Sequence, residues 1–303
     1  MKLGFFTAIL PDLSFEEVVQ FAEANGFRCL EVACWPKMKA DRRYAGITHI
    51  DVDELGDADV QEIKEWTENS EVEISALGYY PNPLCADEAE AAKAIDHIRK
   101  MISAAQKLGL SNVNTFVGRD PSKSMDDNWK VFDKRWPAII EHAEKCGVKV
   151  GIENCPMLFS GDEWPGGKNM AISPKIWREM FRRIPSKNFG LNYDPSHAVW
   201  QMMDSPAHIR EFADRIFHVH AKDARVLHER INDVGILSSP LEFHEPKLPG
   251  LGDVPWGRFF AALTDIRYHG GVCIEVEDRA YEGSVADRKR ALLQSKRFLE
   301  SYC

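Results

Sequence analysis

Eight short apolar runs alternate with eight helical periodicities along this chain, and few folds accommodate that order. The runs are Leu3–Thr7, Leu30–Ala33, Ile74–Gly78, Val113–Gly118, Val148–Asn154, Phe189–Asp194, Ile216–Lys222 and Val272–Glu277. Between them, apolar residues recur at helical spacing near 14–25, 53–69, 87–107, 126–146, 173–184, 206–213, 256–266 and 286–301. Repeated strand–helix units imply a parallel sheet. Eight of them imply closure into a (β/α)8 TIM barrel, one domain over residues 1–303, and such a barrel needs roughly 250 residues. A doubly wound open sheet would carry a glycine-rich turn after its first strand; Thr7-Ala8-Ile9-Leu10-Pro11 follows instead.

Local signals agree with this division. Ser14 and Glu17 form a capping box ahead of an apolar stripe of Phe15, Val18, Val19 and Ala22. Ser173-Pro174 offers a capping hydroxyl and a first-turn proline. Asn25-Gly26 and Leu108-Gly109 read as helix stops. Two long connections, Pro156–Ile172 and Arg225–Pro255, fall after strands, where barrels build the rim of an active site. The stretch Phe159–Asn169, with Gly161, Trp164, Gly166 and Gly167, has the composition of a cover over that rim. Trp129 and Trp136 could pack on a partner or on the barrel itself.

Composition narrows the function. A net charge of −9, without a basic cluster, disfavours nucleic acid as a partner. The apolar start, MKLGFFTAIL, is cut off by Pro11-Asp12 and reads as a buried strand rather than a leader. No run approaches the roughly 18 apolar residues of a membrane span. The seven cysteines are scattered and form no CxxC pair, which suits reduced thiols in a cytoplasmic protein.

The chemistry is legible in position. Glu153 closes VKVGIEN, Asp194 closes FGLNYD, His218 and His220 punctuate RIFHVHAKD, and Glu275 and Glu277 punctuate VCIEVED. In a barrel these strand ends converge on one mouth. Three carboxylates with an imidazole form a hard donor set suited to Mn2+, Mg2+, Co2+ or Fe2+, with Zn2+ accepted but not selected by a thiolate. Period-2 alternation puts His218 on the face of His220, and Glu275 on that of Glu277. Nearness to the mouth favours His220; spacing does not choose between the two glutamates.

The motifs GIEN, LNYDPSH, HVHAKD, PGLGDVPW and IEVED together resemble the xylose-isomerase-like barrels, a group that includes ketose 3-epimerases, hydroxypyruvate isomerases and inosose dehydratases. That resemblance implies metal ligation, by Mn2+ first, through Glu153, Asp194, His220 and Glu275. It implies substrate contact by His197, Lys222 and Arg225. It also implies catalysis by Glu153 and Glu275, one removing a proton alpha to the carbonyl of a ketose or keto-sugar and the other returning it, through an enediolate. A dry mouth would raise the basicity of these carboxylates. The same proton removal leads to a dehydratase or lyase if a leaving group departs, with His244 or Glu277 as the acid. Apurinic endonucleases of the same superfamily draw histidines from the third and fourth strands, and ISALGYYPN and VNTFVGRD have none. A non-catalytic carbohydrate-binding subunit would have no use for two opposed glutamates. The expected partner is a small sugar; a homo-oligomer is left open.

Overall fold

The computed structural model describes residues 1–37, 45–158 and 166–303. Eight parallel strands close a barrel: β1 (Lys2–Phe6), β2 (Cys29–Ala33), β3 (Glu73–Gly78), β4 (Asn112–Thr115), β5 (Lys149–Glu153), β6 (Phe189–Tyr193), β7 (Ile216–Ala221) and β10 (Gly271–Ile274). β1 closes the ring against β10, with Leu3 opposite Val272 and Phe5 opposite Ile274. All eight expected strands are present, each within a few residues of the range read from sequence.

The outer helices are α1 (Phe15–Ala24), α2 (Asp57–Glu68), α3 (Glu88–Leu108), α4 (Met125–Cys146), α5 (Pro174–Arg183), α7 (Ser205–Glu211), α9 (Trp256–Asp265) and α10 (Val285–Leu299). The capping box forms: the Glu17 amide donates to Ser14 Oγ at 3.2 Å, and the Ser14 amide donates to Glu17 Oε2 at 2.7 Å. α3 ends on Gly109 with a φ of 75°, a left-handed stop that glycine adopts without a Cβ penalty. At α5 the outcome differs from expectation. Ser173 is extended and makes no capping hydrogen bond, so Pro174 alone marks that start. Trp129 and Trp136 are buried, and Trp136 stacks on Phe189 at 5.5 Å, so both pack on the barrel rather than on a partner.

The connection Arg225–Pro255 is more ordered than its composition suggests. It contains a hairpin, β8 (Asp223–Val226) against β9 (His244–Lys247), with a short helix α8 (His228–Val234) between its strands. Asp223 pins the hairpin to the PGLGDVPW segment, accepting from the amides of Gly250 and Val254 at 2.9 and 3.0 Å and from Trp256 Nε1 at 2.8 Å. A four-residue helix, α6 (Ser196–Val199), follows β6. No helix among the described residues is long and apolar enough to cross a membrane.

Candidate metal centre and the cavity above it

The carboxyl ends of β5, β6, β7 and β10 deliver Glu153, Asp194, His220 and Glu275 to one point. One donor atom from each lies within 4.8 Å of the others. His220 Nδ1 is 3.6 Å from Glu153 Oε1 and 3.4 Å from Glu275 Oε2. Glu153, Asp194 and His220 are buried, and the Glu275 side chain is 15% exposed. Four side-chain atoms here, Glu153 Oε1, Asp194 Oδ2, His197 Nε2 and His220 Nδ1, are buried and make no well-directed hydrogen bond among the described residues; their contacts are charge pairs at 3.0–3.7 Å. Buried polar atoms that lack directed hydrogen bonds are expensive in a protein interior. Donors bound at about 2.0–2.6 Å to one divalent cation lie at most about 5.2 Å apart, so this grouping falls within reach of a single ion. The residues therefore fit a metal, and their oxygen-rich chemistry fits a hard one.

Of the paired candidates, Glu275 joins the donor group while Glu277 lies one residue pair further out, 3.1 Å from Lys222 Nζ. His218 does not reach the mouth. Its Nδ1 faces Asn192 Oδ1 at 3.0 Å and its Nε2 faces Ser75 Oγ at 3.0 Å, deeper in the barrel.

Lys222, buried at the end of β7, places its ammonium 3.0 Å from Asp194 Oδ2 and 2.7 Å from Glu275 Oε2. His197, on α6, has Nε2 3.2 Å from Asp194 Oδ2 and 3.7 Å from Glu153 Oε1. Arg225 goes elsewhere. Its side chain is half-exposed, pairs with Glu245 at 2.8 Å across the hairpin, and does not line the mouth cavity. Burial along β8 stops there: Asp223 and Ala224 are buried and Arg225 is exposed.

The electrostatics are those of opposite charges forced together. Burial pushes Glu153 and Asp194 upward, as expected of a dry mouth. Contacts from His197, His220 and Lys222 outweigh it, and both carboxyls are held below their ordinary range. Burial likewise pushes His197, His220 and Lys222 down, but the surrounding negative groups win and all three are raised.

Above the donors opens a cavity of about 1210 Å3, with Phe6, Trp35, Tyr80, Phe116 and Trp200 as aromatic wall and His197, Lys222, His244 and Glu277 as polar lining. His244 stacks on Trp200 at 5.0 Å. Of the expected cover, residues 159–165, with Gly161 and Trp164, lie outside the described residues. Its far end is anchored: Asn169 Nδ2 donates to the Glu153 carbonyl at 2.9 Å and to that of Cys155. Gly167, at φ 57°, packs so close to the Pro156 carbonyl that a Cβ would lie 2.0 Å from its oxygen.

One charged residue at this centre carried no signal in the sequence. Glu31, in the middle of the apolar run CLEVA, is fully buried with its Oε2 2.6 Å from His220 Nε2. Its partners come from strands about 50 to 190 residues away, so local pattern could not reveal it.

A family model described as "Xylose isomerase-like TIM barrel" matches residues 19–302. The uncharacterized protein YfiH of Bacillus subtilis is 28% identical over 316 residues, covering 92% of this chain and 93% of that protein. An inosose dehydratase of Clostridium perfringens is 20% identical, covering 80% of this chain and 81% of its own length. Among solved structures, a D-psicose 3-epimerase crystallised in the presence of D-fructose superposes with a TM-score of 0.68 at 16% identity, over 99% of both chains.

Proposed function

The chain belongs to the xylose isomerase-like TIM barrel family, and from that premise we propose that it is a divalent-metal-dependent sugar isomerase or epimerase. Its substrate class is a ketose or keto-sugar, and its reaction is proton transfer at the carbon alpha to the carbonyl. The observation that carries this reading is the pair Glu153 and Glu275, set 3.6 and 3.4 Å from the same His220 nitrogen with Asp194 completing the group. A divalent cation held by these four would supply positive charge against the negative charge that develops on the substrate's oxygens as the proton leaves.

The protein's own groups do the rest. Glu153 and Glu275 approach the cavity from different strands, so one carboxylate removes a proton and the other returns it from another direction. The Glu153 carboxyl is held below its ordinary range by its cationic neighbours, so rate must come from positioning and from water exclusion by the aromatic wall. His197 and Lys222 line the same cavity next to the four ligands and are placed to donate to substrate hydroxyls. Mn2+ is the proposed native ion.

A second reading, a dehydratase or lyase of a keto-sugar, keto-inositol or 3-keto-glycoside, begins with the same proton removal. It draws support from Glu277, which lines the cavity beyond the four donors where a departing oxygen would need an acid; His244, also there, is held neutral with its Nδ1 on the Pro240 carbonyl. The inosose dehydratase relative agrees with it.

The test strips the protein with chelator, restores Mn2+, Mg2+, Co2+ or Zn2+ singly, and follows deuterium entry from D2O into ketoses by mass spectrometry. Metal-dependent exchange that falls at least about 100-fold in Glu153→Gln and Glu275→Gln is expected. The labelled carbon distinguishes epimerase from isomerase. Tight metal binding without exchange would overturn the ketose reading and favour the lyase, to be assayed on 3-keto-glycosides and keto-inositols.

A further inference from the structure

Beneath the four donors, a layer of polar side chains fills the barrel axis where a core is ordinarily packed with branched apolar residues. Glu31, Asn192, His218 and His220 are all buried there. The shortest contact to the His220 ring decides where its proton lies. Asn192 Oδ1 faces His218 Nδ1 at 3.0 Å, which turns the Asn192 amide group toward Tyr80 Oη and His220 Nε2, each at 3.0 Å. Tyr80 accepts there and donates its single proton to Glu31 Oε1. Glu31 Oε2 is left to accept, and the atom facing it at 2.6 Å is His220 Nε2. A carboxylate only accepts, so this 2.6 Å contact, shorter than that of the Asn192 amide, puts the proton of the neutral imidazole on Nε2 and directs the Asn192 amide protons to Tyr80; Nδ1, which points at Glu153 and Glu275, carries the lone pair.

We propose that Glu31 is the positioning residue of the metal centre: it holds the His220 ring in the tautomer and orientation that present Nδ1 to the cation. This rests on the reading of Glu153, Asp194, His220 and Glu275 as metal ligands. The backbone is shaped for the task. The register of β2 against β3 shifts between Leu30 and Glu31, and Gly78 on β3 leaves the space the carboxylate occupies. A Cβ on Gly78 would lie 2.5 Å from Glu31 Oε1. Glu31, His218 and His220 could themselves be taken for a second metal site. But Glu31 already accepts from Tyr80 and His220, and both His218 nitrogens already face partners. The hydrogen-bonded assignment leaves no donor atom over.

The experiment is calorimetric titration of Mn2+ and Zn2+ into chelator-treated wild type, Glu31→Gln and Gly78→Ala, with a thermal melt of each metal-free protein. Loss of such a carboxylate behind a ligating histidine typically weakens metal binding 10- to 100-fold, and Glu31→Gln should show a loss of that size. Gly78→Ala, which displaces the carboxylate without removing it, should show part of it. A role confined to packing would lower the metal-free melting temperature and leave affinity unchanged, and that result overturns the proposal. Nitrogen-15 spectra of the Zn2+-loaded wild type give a readout free of mutation. His220 should show a protonated Nε2 and a metal-shifted Nδ1; the reverse would also overturn it. Wild type that binds neither ion would sink the metal centre itself, a different failure from wild type and Glu31→Gln binding equally well.

Discussion

Lys222 is the residue on which the charge balance of the centre turns. A buried ammonium persists only when paired, and this one has Glu275 at 2.7 Å, Asp194 at 3.0 Å and Glu277 at 3.1 Å. A cation among the four donors would share two of the same oxygens, Asp194 Oδ2 and Glu275 Oε2. Lys222→Met should therefore destabilise chelator-treated protein by about 3 kcal/mol, the usual cost of breaking a buried pair. In saturating Mn2+ the loss should shrink, because the ion takes over the compensation. Urea unfolding of both proteins in both conditions measures this, and equal losses would mean that Lys222 serves packing alone. The sequence showed Lys222 as a neighbour of the histidine strand, yet could not show its three partners, which arrive from β6 and from beyond β10. The same holds for Glu31. An isolated acid in a strand carries the pattern of a solvent-facing residue, and only the closed barrel turns it inward. Glu153, Asp194 and His220 were legible because each lies at or near the end of an apolar run, a position that barrel geometry converts into a shared location.

At the scale of elements, the strands and outer helices were legible because burial imposes periodicity on them. The β8–β9 hairpin was not. Its strand β9, His244–Lys247, is half-buried throughout, so no alternation marks it. Its register is set instead by Asp223 and the PGLGDVPW segment, a contact across about 30 residues. This hairpin brings His244 to the cavity, where burial pushes its imidazole down to about 4, against the Pro240 carbonyl that accepts from its Nδ1 at 2.5 Å. The unfolded chain, with histidine near 6.5, takes up the proton first as pH falls. The contribution of His244 is thus full above about pH 6.5 and lost progressively down to about pH 4. Each pH unit in that window costs at most about 1.4 kcal/mol. The stability of wild type relative to His244→Gln should fall by up to about 2 kcal/mol between pH 7 and pH 5. Urea titrations at the two pH values check it, and a constant difference would mean that the ring titrates as it does in solvent.

For the molecule as a whole, the donor set acts as a clasp. β5, β6, β7 and β10 are consecutive around the barrel, so Glu153, Asp194, His220 and Glu275 span half its circumference. β10 also closes the ring against β1. Three carboxylates along that arc repel, and Lys222, His197 and His220 offset them through the short charge contacts described above. An ion bound by the native state and not by the unfolded chain stabilises by mass action, by about 2.7 kcal/mol at 100 times its dissociation constant. In a domain of this size that corresponds to a rise in melting temperature of roughly 5 °C. Mn2+ added to chelator-treated protein should produce such a rise, increasing with the logarithm of ion concentration. The same titration on Glu275→Gln should give a much smaller one, because the clasp then lacks its link to the strand that closes the barrel. Scanning calorimetry on both proteins across a Mn2+ series decides it. A rise of equal size in both would place the stabilising ion at surface carboxylates, whereas a rise confined to wild type ties the stability of the closed barrel to the chemistry at its mouth.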